Sequence, residues 1–328
     1  MRRKLCSDAT EATIQFWQNA HFLRGVFVAA ASLAVCFLSN GCSLSPLAKH
    51  AVAFSTASGV VIDSSEDAYR AAIRLRHDEQ VVAAVYVYDT NPSWSPYTDF
   101  KPLLTPEQLN ARIKVLDGLK AYAASLVELT SAKPSKDLNT AAAAVGTNLK
   151  ALNQTVATDL STAIPGVPVM STATANGVST AVLALGDYLI ARKVKGSLPK
   201  VTQDMNQNVL TLCELLNNDI IVLRRQADVD YQTLATDEDQ FIRHEGTALN
   251  PIQHRDEVGK LIDIAAQQKA NDELLTKLQT ALHTLALTHQ ALAAAAQGNN
   301  PESIQQKIAD LEAAGQDLGD FYKSLPTS

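Results

Sequence analysis

The chain has 328 residues, of which 46% are hydrophobic and 5% aromatic, and its formal net charge is −6. Binding of nucleic acid depends on Lys and Arg contacts to phosphate, so this acidic balance argues against a nucleic-acid partner. A chain rich in Ala, Leu, Gln and Thr and poor in Gly is typical of long helices, and the composition therefore predicts an all-α protein.

The first 41 residues have the pattern of a segment that directs secretion. The chain opens with Arg2, Arg3 and Lys4, and residues 26–38 form an uncharged apolar run, VFVAAASLAVCFL. A transmembrane helix needs about 20 apolar residues, so this run is short for a membrane span. A basic start, a short apolar centre and small residues at the end predict a signal peptide over residues 1–41.

The sequence LSNGC, residues 38–42, resembles the lipobox of bacterial lipoproteins. In that class the signal is cut before the cysteine, and the cysteine's sulfur and new amino group are acylated. The usual pattern has Leu three positions before the cysteine, whereas this chain has Ser39 there and Leu38 one position earlier. The resemblance implies that Cys42 carries lipid and anchors the mature protein in a membrane. An Asp after the cysteine favours the inner membrane in this class, so Ser43 implies the outer membrane, facing the periplasm.

An ordinary signal peptide, or an uncleaved anchor with an incidental cysteine, is the alternative interpretation. If the signal is removed, the mature chain has 287 residues and a net charge of −8, and Cys213 is its one cysteine besides Cys42. No intramolecular disulfide and no cysteine zinc site is then expected. Cys213 lies in the apolar stretch VLTLCELL, which predicts a buried, inert thiol.

The mature chain is predicted to begin with a lipidated tether over residues 42–58, followed by an α-helical bundle domain over residues 59–328. Ser64 and Ser65 with the acids after them predict the cap of a first helix that runs to about residue 88. Its end, VVAAVYVY, is rich in β-branched and aromatic residues, so a strand over residues 80–88 is an open alternative.

Shorter helices follow. Thr105 predicts an N-cap, with Pro106 at the first helical position and Gln108 completing a capping box. Residues 138–160 have apolar positions at alternating steps of four and three, which predicts a coiled-coil-like seam, and another helix is expected over 172–195. The stripe predicted to be buried in the helix after Thr105 consists of Leu109, Ile113, Leu116, Leu119, Ala123 and Leu126.

Two longer helices are predicted over residues 199–244 and 251–297. Each would be about 70 Å long at 1.5 Å per residue. Their similar lengths and the short turn at 246–250 predict an antiparallel hairpin with Leu216 and Leu282 buried in its seam. A last helix is expected from Pro301, which gives an elongated helical bundle of about six to seven helices. In the second long helix, the residues expected to face inward are Val258, Leu261, Ile262, Leu274, Leu278, Leu282, Leu285 and Leu292.

An aromatic loop separates the first two predicted helices. Residues 86–102, YVYDTNPSWSPYTDFKP, hold five aromatic residues, and Trp94 is the one tryptophan outside the signal segment. Aromatic side chains in a Pro-stiffened loop offer large contact areas at low entropic cost, which predicts a partner-binding site at Trp94, Tyr97 and Phe100. The alternative is that the same side chains form a plug that closes one end of the bundle.

A second unusual stretch, residues 160–186, carries no charge and lies between Asp159 and Asp187. An uncharged hairpin between long helices loosely resembles α-helical pore-forming toxins, but its prolines and its Ser and Thr content leave neither arm long enough to span a membrane. A buried turn between two core helices is the preferred interpretation.

The motifs of common enzymes are absent. His244-Glu245 is not followed by a second His at helical spacing. Ser197 and Lys200 match a Ser–Lys nucleophile pattern by letter, but Pro199 between them indicates a helix start.

Other reactive side chains have simple structural explanations. His283 and His289 are expected to be solvated or internally hydrogen-bonded rather than ligands, and the acids at 237–239 are expected to form a solvated face.

The sequence therefore favours a lipid-anchored, non-catalytic binding or scaffold protein of the cell envelope, with no cofactor, no metal and an unknown envelope protein as partner. A membrane-active helical protein that uses residues 160–186, and an enzyme of unrecognised type, are the alternatives.

Overall fold

The computed structural model is all-α, a bundle of seven helices in the part of the chain that it describes. The helices are α1 (Pro46–Thr90), α2 (Pro106–Leu129), α3 (Lys136–Leu152), α4 (Thr172–Ala191), α5 (Leu198–Glu245), α6 (Pro251–Ala296) and α7 (Pro301–Ser324). The structure describes residues 46–90, 93, 95, 100–130, 136–152, 172–191, 197–245, 248–299 and 301–324. The predicted fold class is confirmed, and the signal peptide, the lipobox and Cys42 lie outside the described residues. Contacts divide the chain into two units, and the bundle described below is the unit Pro46–Phe321.

Helix α1 begins at Pro46, so the prediction of a first helix capped at Ser64 and Ser65 is wrong. Within residues 46–58, which we predicted as tether, Ala51 and Phe54 are buried and belong to the core. The hydroxyl of Ser65 donates to the carbonyl of Val61, four residues earlier, at 2.8 Å. A serine that bonds back to its own helix in this way can lie in a helix interior instead of capping it. The strand alternative for residues 80–88 is also wrong, because α1 continues through Thr90.

Helix α2 starts where the sequence predicts. The Thr105 side chain accepts a hydrogen bond from the backbone N–H of Gln108, and the Gln108 side chain accepts one from the backbone N–H of Thr105. This reciprocal pair satisfies two backbone donors that the first turn leaves open, and Pro106 fits the first helical position. Of the predicted stripe, Leu116, Leu119, Ala123 and Leu126 are buried, and Leu109 and Ile113 are half-buried.

Helices α3 and α4 cross at two glycines. A Cβ built on Gly146 of α3 would lie 2.7 Å from the carbonyl oxygen of Gly186 of α4, so glycine is needed at this approach. An ion pair between Lys150 and Asp187, at 2.7 Å, lies beside the crossing. The described part of the predicted seam at 138–160 ends with Leu152, and residues 160–171 of the uncharged stretch lie outside the described residues.

The rest of the uncharged stretch, residues 172–186, belongs to α4. Val182 and Leu185 are fully buried there, which agrees with the core interpretation for this part.

The antiparallel hairpin of α5 and α6 is confirmed. Three residues of α5, Asn206, Arg224 and Asp228, contact His289, Asp272 and Gln268 of α6, respectively. Residue numbers increase along α5 while those of the partners decrease along α6, so the two helices are antiparallel. Leu216 and Leu282 are both fully buried, as predicted. The Asn250 side chain accepts hydrogen bonds from the backbone N–H groups of Ile252 and Gln253, which starts α6 with a second capping box.

Helix α6 carries a ladder of threonines toward its C-terminal end. Thr276, Thr280, Thr284 and Thr288 each donate to the carbonyl four residues before, and Thr288 also donates to the Lys307 carbonyl of α7 at 2.9 Å. The helix ends at Ala296, and Gly298 in the turn that follows has a φ of +83°, a left-handed conformation that favours glycine. Helix α7 then packs through Ile304, Ile308, Leu311 and Leu318, all of which are buried.

Candidate functional site

The predicted partner residues are described only at the end of their loop. Trp94 and Tyr97 lie outside the described residues. Phe100 is half-buried, and its ring meets the ring of His77 of α1 edge-on, with centroids 5.6 Å apart. The Gln80 side chain donates to the Lys101 carbonyl at 2.8 Å and accepts from the Lys101 N–H at 3.0 Å. These contacts fix the C-terminal end of the aromatic loop to α1.

The outer part of the hairpin differs from the rest of the bundle. We call residues 235–244 of α5 and 251–273 of α6 the distal segment, and none of these residues is buried. From Leu274 onward, by contrast, buried residues recur along α6 at helical spacing. Ile252 and Ile262 are 65% and 64% exposed, the largest values among the exposed large hydrophobic residues that the structure describes. The prediction that Ile262 faces inward is therefore wrong.

The acids at 237–239 do not form a simple solvated face, so that prediction is also wrong. All three side chains are partly buried, and the Glu238 carboxyl contacts the carboxyl of Glu257 across the hairpin. Burial, and then the neighbouring Glu257, raise the pKa of Glu238 to about 7. The Glu257 carboxylate also accepts from the Lys260 ammonium group at 2.6 Å. Two neighbouring carboxylates in a partly buried site repel each other and are poorly solvated, so one of the two groups tends to keep its proton.

A charged cluster connects the aromatic loop to the base of the distal segment. Arg76 of α1 donates to the Asp230 carboxylate of α5 at 2.7 Å, and Gln226 donates to the same oxygen at 2.7 Å. Asp230 is 1% exposed, and this burial raises the pKa of its carboxyl. Arg76 and His77 are adjacent in α1, so the same turn of α1 contacts the end of the aromatic loop at Phe100 and α5 at Asp230.

A buried polar cluster joins α1, α2 and α5 in the core. The Arg112 guanidinium donates to the Asp219 carboxylate at 2.7 Å, and the Tyr69 hydroxyl donates to the same carboxylate at 2.8 Å. Burial raises the pKa of Tyr69 well above its usual value. Because its contacts join side chains of α1, α2 and α5, the cluster fits a structural role in aligning the three helices.

His289 lies in a second buried polar cluster. Its Nε2 is 2.8 Å from the Tyr122 hydroxyl, its Nδ1 is 3.1 Å from the Asn206 side-chain oxygen, and its ring packs on Phe54. Complete burial lowers the pKa of His289 to about 3, so the imidazole is neutral at physiological pH. The prediction of an internally satisfied or solvated histidine is confirmed for both residues, because His283 is exposed.

The remaining nucleophile candidates are also explained by their surroundings. Cys213 is a buried free thiol, and burial raises its pKa to about 12, which confirms the prediction of a buried cysteine. Lys200 is exposed and pairs with Asp204 at 2.9 Å, and Ser197 accepts the backbone N–H of Val201 at the start of α5. Ser197 and Lys200 therefore belong to a helix start.

A groove of about 220 Å³ lies between α2 and α3. Its lining includes four alanines, Val145 and the charged residues Asp117, Lys120 and Glu128. Across the described ranges, no group of three or more His, Cys, Asp or Glu side chains is placed to hold a metal ion. None of the helices in the described part of the chain has the length and apolar character to cross a membrane.

Comparison with known proteins gives no match: no family model, no curated protein and no solved structure is significantly similar to this chain. The sequence identified the aromatic loop but not the distal segment. The distal segment has only a weak signal in the sequence, because the helical period of Ile252 and Ile262 does not differ from that of the buried leucines that follow them.

Proposed function

We propose that the protein is a lipid-anchored binding or scaffold module of the cell envelope, without catalytic activity. The observation that supports this proposal best is the distal segment, a stretch of two long helices that buries no residue and yet exposes Ile252 and Ile262. Because no residue of this segment is buried against the rest of the chain, its two helices leave apolar and polar side chains free to pack against another protein, and helices are a recurring element of such recognition. The aromatic loop, with Trp94, Tyr97 and Phe100, is a second part of the proposed surface, and its C-terminal end is fixed to α1 through His77 and Gln80.

His289 and Cys213 are of residue types that often act as a base or a nucleophile, but both are enclosed, which is consistent with a binding role. His289 is held neutral between Tyr122 and Asn206, and the Cys213 thiol is held protonated in an apolar helix seam. A reactive thiol needs a lowered pKa and access to solvent, and Cys213 has neither.

The anchor in this proposal is lipid on Cys42, by resemblance to bacterial lipoproteins, and the location is the outer membrane with the domain facing the periplasm. Because α1 begins at Pro46, only residues 43–45 separate the proposed lipid from the first helix. Such a short connection would hold the domain close to the membrane, and the partner is then expected to be another envelope protein.

Site-specific photo-crosslinking in intact cells tests the proposal. A crosslinking residue is placed at Ile262 in the distal segment, and at Ile190 of α4 as the matched control, since Ile190 is an exposed isoleucine (42%) outside the segment. We expect a discrete adduct from position 262 and none of the same mass from position 190. Identical adducts from both positions, or no adduct from position 262, would contradict the proposal.

A further inference from the structure

Glu238 of α5 and Glu257 of α6 lie opposite each other in the antiparallel register that the Arg224–Asp272 and Asp228–Gln268 contacts set across the hairpin. Both side chains are hydrogen-bond acceptors when ionised, so a contact between them becomes a hydrogen bond only when one carries a proton. The Oε1 atom of Glu238 is buried, and no donor among the described residues reaches it. An ionised Glu238 would thus hold a partly buried negative charge beside a second carboxylate, whereas a protonated Glu238 can donate its O–H to Glu257.

We propose that the Glu238–Glu257 carboxyl pair is a proton-operated clasp, which holds α5 against α6 in the distal segment while the proton is bound and releases them when it is lost. The proton moves between Glu238 and solvent water, and no bond other than the O–H bond and the hydrogen bond to Glu257 is made or broken. This inference concerns the hairpin itself and does not depend on the proposed function.

The distal segment has little else that would replace the clasp. It buries no residue, so apolar packing contributes less there than in the rest of the hairpin. The neighbouring ion pairs, Arg243 with Asp239 and Lys260 with Glu257, each lie within one helix and do not join the two. Two cross-hairpin contacts, Gln268 with Asp228 and Asp272 with Arg224, join the inner end of the segment on α6 to positions of α5 nearer the core, and both lie more than ten residues along α6 from Glu257.

The charges around Glu238 determine the direction of the response. Glu257 opposes ionisation of Glu238, and Lys260 of α6 favours it, but burial and Glu257 outweigh Lys260. Asp237, which precedes Glu238 in α5, also has a pKa raised by burial, and its carboxyl interacts with that of Glu79 of α1. A folded-state pKa of about 7, against an ordinary value of 4.5, means that the closed hairpin binds more protons than the open one between these values. The closed form is therefore favoured at the acidic end of this range and is weakened as the pH rises through 7.

Backbone hydrogen exchange on the complete chain tests the clasp at pH 6 and pH 8.5, after correction for the intrinsic exchange rate. We expect amides of residues 252–264 to lose about tenfold or more of their protection at the higher pH, since each unit of pKa shift is a factor of ten in the equilibrium. In Glu238→Gln, the amide N–H can donate to Glu257 at every pH, so the protection should no longer depend on pH. Glu273→Gln is the matched control, because Glu273 is an exposed carboxylate of the same segment that pairs with Lys277 within α6.

The clasp is overturned if the wild-type protection is the same at both pH values, or if Glu238→Gln keeps the wild-type pH dependence. A second measurement does not depend on the variants folding. Carbon NMR of the wild-type carboxyl groups should show Glu238 titrating near pH 7, and titration near its ordinary value would reject the proposal.

Discussion

Arg112 and Asp219 lie 107 positions apart in the chain and form a buried bidentate ion pair, with Nε 2.7 Å from Oδ2 and Nη2 3.3 Å from Oδ1. Asp219→Ala would leave the Arg112 charge buried without its partner, and we expect it to lower the free energy of unfolding by about 3–5 kcal/mol. Denaturant unfolding measures this loss. The control is Asp63→Ala, which removes an exposed pair with Lys120 and should cost about 1 kcal/mol or less. Equal losses for the two variants would show that the buried pair has no special role.

His289 should make the stability depend on pH in the acidic range. Its folded-state pKa of about 3 lies below the ordinary value of 6.5, so between these values the unfolded chain binds more protons than the folded one. Stability should therefore rise with pH across this window, with a slope of up to about 1.4 kcal/mol per pH unit from this one group. Urea unfolding at several pH values checks the slope. It should decrease in His289→Gln and stay unchanged in His283→Gln, and a steep His283 effect with none at His289 would contradict the assignment.

Replacing glycine by alanine should have opposite effects at the crossing of α3 and α4 and at an open position of α4. Gly146→Ala would place a methyl group 2.7 Å from the Gly186 carbonyl oxygen, and overpacking of this kind costs about 1–3 kcal/mol. Gly177→Ala, in α4, meets no atom within 4 Å and should stabilise the helix by up to about 1 kcal/mol. Thermal melts of both variants measure the difference, and a neutral Gly146→Ala would mean that the helices can separate at no cost.

Cys42→Ser tests the proposed anchor. If Cys42 is the acylated residue, the variant should incorporate no labelled palmitate and should accumulate as a larger, unprocessed precursor. Mass spectrometry and membrane fractionation check both results. A variant that matures to the wild-type mass and still sediments with membranes would show that another feature anchors the protein.

Trp94→Ala distinguishes the partner site from the plug. For a partner site, we expect the melting curve to be nearly unchanged and the capture of the partner to weaken by about 2 kcal/mol or more. A plug residue would instead lower the stability by about 3–5 kcal/mol. Tryptophan emission of the protein without its signal segment gives an independent result, because Trp94 is then the one tryptophan. Blue-shifted emission that iodide does not quench would reject the partner site.

Local signals in the sequence predict the helix starts well. Thr105 with Gln108 forms its capping box because both partners lie within one turn, and Pro251 follows a cap at Asn250 for the same reason. The start of α1 is harder to predict. Ser45 followed by Pro46 has the pattern of a helix start, but Ala48 stands where a capping box needs Glu or Gln, and Ser64 and Ser65 resemble a cap that the helix does not use.

The candidate site was harder to predict, since it depends on contacts that no local pattern contains. The pairing of Glu238 with Glu257 follows from the hairpin register, which sequence periodicity does not fix. The sequence predicts that Ile262 is buried because a helical period shows which residues share a face, but not where along the helix the neighbouring helices end.

The threonine ladder of α6 has a consequence for the path of that helix. Each hydroxyl adds a second hydrogen bond to a carbonyl of its own helix, and such bonding often bends a helix locally. A step of four residues turns about 40° further than one full turn at 3.6 residues per turn. The direction of bending therefore rotates along the ladder, from exposed Thr276 to buried Thr288. We expect α6 to follow a gentle supercoil there rather than a planar arc, which would let it stay wrapped around α5 while it turns one face toward α7.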